Sequence, residues 1–181
     1  MVRRSWLCVA ALFLGGCGVS GEDERRLVAQ GRPIYYGEVD DSNAHMAVVA
    51  ITNGPGTGYF CSGTLISPRF VLTAGHCLQG ESAYNVEVFF GANAYSSGTY
   101  REAAELIVHD DYDPWNIRND IALVRLAATA PANVTPIPYL PSRLGLTRSD
   151  EGATVDFSGF GVTETGSDGR KLHVEQQIDR V

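Results

Sequence analysis

His76 stands just beyond an apolar run and just before a cysteine, in Leu72-Thr73-Ala74-Gly75-His76-Cys77. An imidazole in a rigid position of this kind suits general acid–base work, because it titrates near neutral pH and acts only within hydrogen-bond reach of the proton it moves. Taken alone, it is equally well read as an ordinary loop residue. Asp120 follows Asn119 and precedes the apolar run Ile121-Ala122-Leu123-Val124-Arg125-Leu126. By itself, a carboxylate there reads best as a turn cap.

Of the four cysteines, Cys8 lies in the N-terminal apolar stretch and Cys17, just beyond it, is set aside for lipid, which leaves Cys61 and Cys77. In an oxidising compartment an even pair reads as a disulfide. Closing a loop of this length stabilises by roughly 3 kcal/mol in the chain-entropy view. A catalytic thiol beside His76 is the competing reading, and it requires both sulfurs unpaired. Along the chain the four histidines, His45, His76, His109 and His173, fall at no ligand-like spacing, so no metal is expected, nor any other cofactor.

The elements that must position these residues are strands. From residue 34 onward the apolar residues come in short runs, rich in β-branched and aromatic side chains, with turn formers between them and no amphipathic helix of useful length. The runs predict strands at about 47–52, 60–66, 70–73, 86–90, 102–109 and 121–126. Six strands in so short a span suit a small closed antiparallel barrel or a sandwich, and closure leaves no open edge. A proline-rich connector, Pro131 to Pro141, precedes two further strands at about 153–160 and 172–178, joined across Gly166-Ser167-Asp168-Gly169. Two strands alone bury too little to be stable in water.

The segments CSGTLISPRFVLTAGHC and NDIALVRL resemble the His-containing and Asp-containing segments of the trypsin-like serine proteases. Ile34-Tyr35-Tyr36-Gly37 resembles, in diverged form, the mature start of those enzymes, which makes Ile34 the candidate mature N-terminus. Phe157-Ser158-Gly159-Phe160-Gly161 resembles the stretch that opens their second barrel. The resemblance implies an all-β, two-barrel fold with the catalytic residues in the cleft between the barrels, and a disulfide between Cys61 and Cys77. It also implies peptide-bond hydrolysis through an acyl-enzyme on a protein or peptide substrate, with His76 as base and Asp120 as its orienter. In the family's triad, His and Asp are about 45 residues apart, and His76 and Asp120 are 44 apart.

The same template puts the serine about 93 residues beyond the aspartate, whereas 61 residues follow Asp120 here and none carries Gly-Asp-Ser-Gly-Gly. With that segment go the oxyanion-hole amides, each worth about 3 to 4 kcal/mol of transition-state stabilisation. Ser158 lies in an expected strand and Ser167 in an expected hairpin turn, so neither reads as the nucleophile. Activation also departs from the pattern: the freed Ile34 would lack its carboxylate partner, and Pro33 precedes it. The 181 residues are therefore expected to be inactive.

The formal charge of −7 becomes −9 once residues 1–17 are removed, because Arg3 and Arg4 leave and all 21 acids remain. An acidic surface with no Lys/Arg cluster repels phosphate, so nucleic acid is not an expected partner. Arg3 and Arg4, followed by nine uncharged residues from Trp6 to Leu14, form a signal-peptide pattern too short to span a bilayer. Export is thus expected, and Leu14-Gly15-Gly16-Cys17 resembles a bacterial lipobox, which makes Cys17 a candidate lipidation site and a lipid the only expected link to a membrane. An ordinary cleavage site is the alternative.

The expected organisation is a signal peptide over 1–17, a linker or propeptide over 18–33, a first β-barrel over 34–130, and a connector with the incomplete start of a second barrel over 131–181. Three readings follow. The first is the front part of a longer trypsin-like protease. The second is a non-catalytic pseudoprotease on the cell envelope that binds a partner by strand addition. The third, a lectin-like or structural barrel, has no supporting aromatic cluster.

Overall fold

The computed structural model describes residues 36–40, 45–57, 59–163 and 165–181. Cys17, Ile34, the signal-like segment and the linker lie outside them. Nine strands are described: β1 (Glu38–Val39), β2 (Val48–Thr52), β3 (Tyr59–Ser67), β4 (Phe70–Thr73), β5 (Glu87–Phe90), β6 (Thr99–Val108), β7 (Ala122–Leu126), β8 (Thr154–Gly159) and β9 (Leu172–Gln177). Eight correspond to the runs read from the sequence. β6 begins three residues earlier than expected, and the two-residue β1 was not anticipated because so short a strand has no periodicity to read.

Strands β2 to β7 close into an antiparallel barrel in the order β2-β3-β4-β7-β6-β5, with β5 returning to β2. The fold is all-β, as expected. Alternation decides what faces inward: Ala122, Val124 and Leu126 of β7 are buried, while Leu123 and Arg125 between them are half-buried. The barrel interior gathers Val49, Ile51, Leu65, Val71, Val88, Phe90, Val124 and Leu126. Val134 from the proline-rich stretch packs against the same core, and the Ile137 amide donates to the Leu65 carbonyl (2.9 Å).

β2 is buried on both faces, which explains its unbroken apolar sequence Val-Val-Ala-Ile. Val49 and Ile51 point into the barrel; Val48 and Ala50 join Phe89, Ala94 and Phe160 in a second cluster on the outside. Phe160, which follows β8, meets the Phe89 ring edge-on at 6.4 Å. Its backbone N–H donates to the Ser62 hydroxyl of β3 at 2.9 Å. These contacts fix a second sheet, ordered β1-β9-β8, against the barrel wall.

Candidate active site

At the end of β4 the chain makes a single helical turn, α1 (Gly75–Leu78), which carries His76. A turn this short has no amphipathic signal, so it was not foreseen. Cys77 of this turn is bonded to Cys61 of β3, with the two Cα atoms 6.1 Å apart. This pairing excludes the thiol reading. The turn is thereby tied to β3, the strand paired with β4.

Asp120 reaches His76 from the other side, from the loop before β7. Asn119 adopts a left-handed conformation (φ 53°), which asparagine tolerates better than most residues. Its side-chain amide donates to the Asp111 carbonyl (2.9 Å) and anchors the loop. The chain then bends so that the Asp120 carboxylate points at α1. The pairing of β4 with β7, Thr73 opposite Ala122, sets the distance between the two segments.

The carboxylate takes two hydrogen bonds from one residue. The His76 backbone N–H donates to Oδ1 at 2.7 Å, and ring Nδ1 lies 2.8 Å from Oδ2. An ionised carboxylate can only accept, so the ring carries a proton on Nδ1; in the neutral ring Nε2 then bears the lone pair, 3.5 Å from the disulfide sulfur of Cys77. Burial by itself would raise the Asp120 pKa. The hydrogen bonds from the His76 ring and backbone, the attraction of His76 and the Gly75 amide outweigh it, and the carboxyl is held below its ordinary range. Burial, then the Asp120 charge, raise the pKa of the neighbouring Tyr112 hydroxyl.

His76 opens onto a cleft of about 730 Å³ between the barrel and the second sheet. Phe60, Cys61 and Ser62 line it from the barrel; Phe157, Ser158, Gly159 and Val162 line it from the β8 side. Among the described residues, neither serine considered above bonds to His76. Ser158 Oγ is buried with no hydrogen-bond partner, and Ser167 lies in the turn before β9, where its backbone N–H donates to Thr163 Oγ1 (3.1 Å). His109 stands apart, its Nδ1 accepting from the Asp111 amide (3.1 Å). The other two histidines meet elsewhere: the rings of His45 and His173 lie 5.1 Å apart, tilted by 33°, beside Asp156. Two contributors to the His76 site were missed in the sequence. They are Asn119, whose conformation aims the acid, and Gly75, whose lack of a side chain leaves it room.

The family model for trypsin matches residues 34–178. Trypsin theta of Drosophila erecta is 34% identical over 122 residues, which cover 67% of this chain and 45% of that protein. The serine protease SP24D of Anopheles gambiae is 33% identical over 146 residues, covering 78% of this chain and 51% of that protein. The chain therefore spans about half the length of these curated relatives. Among solved structures, the scabies mite inactivated protease paralogue S-D1 superposes with a TM-score of 0.67 over 80% of this chain and 62% of that one. At 21% identity that likeness is one of fold.

Proposed function

The chain belongs to the trypsin family, and from that premise we propose that His76 and Asp120 are the base and the orienting acid of a peptide-bond hydrolysis that proceeds through an acyl-enzyme. The observation that carries the reading is the 2.8 Å contact between His76 Nδ1 and Asp120 Oδ2. It fixes the ring orientation and tautomer in which Nε2 can take a proton from a hydroxyl and later return it to the leaving amine. Family members act on proteins or peptides, and the cleft beside His76 is where such a chain would lie.

The nucleophile is not supplied by the 181 residues. No Gly-Asp-Ser-Gly-Gly occurs in them; the Ser158 hydroxyl is buried with no hydrogen bond to His76, and the Ser167 hydroxyl is 3.2 Å from that of Thr165. The 181 residues by themselves have negligible amidase activity. Purified chain assayed on a panel of peptide p-nitroanilides tests this directly; turnover that disappears in His76→Ala would show a working nucleophile and overturn the proposal.

We place the protein outside the cytoplasm, because Arg3, Arg4 and the apolar stretch from Trp6 to Leu14 form a signal pattern and the Cys61–Cys77 bond persists in an oxidising compartment. Lipid attachment at Cys17 is tested by the mass of the exported protein. A second reading, a non-catalytic binding module, is favoured by the position of β8 at the edge of its sheet with Phe157 exposed. A partner strand would add there through its backbone. Protection of β8 amides in the presence of a captured partner, unaffected by His76→Ala, would favour this reading.

A further inference from the structure

Three side chains distant in the sequence converge on the side of the second sheet that faces the start of the barrel. His173 on β9 and Asp156 on β8 project from the sheet, and His45 approaches from the turn that leads into β2. His45 Nε2 lies 2.8 Å from Asp156 Oδ2, and His173 Nδ1 lies 3.5 Å from Asp156 Oδ1. One donor atom from each residue falls within 4.8 Å of the other two. All three side chains are partly exposed.

We propose that His45, Asp156 and His173 bind a divalent transition-metal cation of the zinc class, with Asp40 as the outer partner that orients His45. The proposal is independent of the peptidase reading, since none of these residues belongs to the His76 cleft. Two imidazole nitrogens and one carboxylate form a donor set that suits zinc and leaves a fourth position for water.

Two further observations point to a ligand. The first is the second carboxylate. Asp40, whose side chain is fully buried, places Oδ2 3.0 Å from His45 Nδ1. A carboxylate on one ring nitrogen fixes the tautomer, so that the other nitrogen presents its lone pair; metal-bound histidines are held in this way. The Lys171 ammonium, which donates to the His45 carbonyl at 2.8 Å, offsets the buried Asp40 charge. The second observation is a pair of orphaned atoms. His173 Nδ1 is buried without a hydrogen bond despite its proximity to Asp156, and so is the hydroxyl of Ser158, its cross-strand neighbour. Buried polar atoms are rarely left unpaired, and a cation at this point would satisfy His173 Nδ1 directly.

The competing arrangement needs no metal. In it, His45 is an imidazolium that donates to Asp40 and Asp156 at once. The two differ in what Zn²⁺ does to the ring nitrogens. The full chain, stripped with a chelator, is titrated with Zn²⁺ while long-range proton–nitrogen spectra of the histidine rings are recorded. The expected result is one equivalent of Zn²⁺ shifting His45 Nε2 and His173 Nδ1, with His76 and His109 unmoved. Calorimetry should then show an affinity at least tenfold weaker in His173→Gln, and about 10- to 100-fold weaker in Asp40→Asn, where only the outer partner is lost. Zn²⁺ that shifts no histidine, or shifts only His76 or His109, overturns the proposal. So does an affinity unchanged in a folded His173→Gln. The spectra use the unaltered protein, so a variant that fails to fold leaves the decision with them.

Discussion

Gly75 and Asp120 are in such close approach that a methyl group at position 75 would meet Asp120 Oδ1 at 3.2 Å, and the Tyr112 ring at the same distance. The His–Asp contact thus depends on a third residue that performs no chemistry. A Gly75→Ala chain should fold, since the neighbours need to yield only a few tenths of an ångström, but the carboxylate should retreat from the imidazole. The check is the strongly deshielded ring N–H proton of His76 in a one-dimensional proton spectrum: it should be present in the parent chain and shifted or lost in Gly75→Ala.

Replacing Asp120 by asparagine should remove both the charge and the preferred tautomer, because an amide can donate as well as accept. The pH dependence follows from the lowered carboxyl. Its folded-state pKa lies below the ordinary value of 3.8, so the stability it contributes is fully present above that value and is lost as the pH falls through the lower, folded one. Urea unfolding from neutral pH down into that acid range should show this loss in the parent chain and a flatter profile in Asp120→Asn. Equal profiles would mean that the pair contributes no linkage.

The Cys61–Cys77 bond closes a separation of 16 residues. A Cys61→Ala, Cys77→Ala double variant should lose about 3 kcal/mol of stability in the chain-entropy view, measured by urea unfolding under oxidising conditions. The loss should be accompanied by mobility of the turn carrying His76, visible as faster amide exchange at residues 75–78.

Phe160 and Phe89 form the joint between barrel and second sheet, and both are fully buried. Phe160→Ala should cost about 3 to 5 kcal/mol. Ser62→Ala, which removes the hydroxyl that accepts the Phe160 amide, should cost about 1 kcal/mol. Hydrogen exchange distinguishes a local from a global effect. We expect β8 and β9 to lose protection well before β3 and β4, because the barrel closes on its own strands and the second sheet relies on this joint.

Strand positions were legible in the sequence because each is written locally, in the alternation of β7 or in the turn formers flanking β4. The His76 and Asp120 segments were legible for a different reason: each is a contiguous stretch that resembles a segment of a known family, although neither residue is distinctive by itself. The one-turn helix, the left-handed Asn119 and the space at Gly75 were not, since these depend on what lies across from them and not on sequence neighbours.

The histidines mark the limit most clearly. Read along the chain, His45 and His173 are 128 positions apart and share no spacing with each other or with Asp156, so nothing linked them. The register of β8 with β9, and the packing of Phe160 on β2, bring them together beside Asp156. The sequence alone determined the eight longer strands, which follow from local pattern, and, through resemblance to a known family, the His76 and Asp120 segments and the pairing of Cys61 with Cys77. Tertiary structure decided the distances within the His76 site and the existence of the His45 cluster, because strand pairing sets the separation of groups that the chain itself keeps far apart.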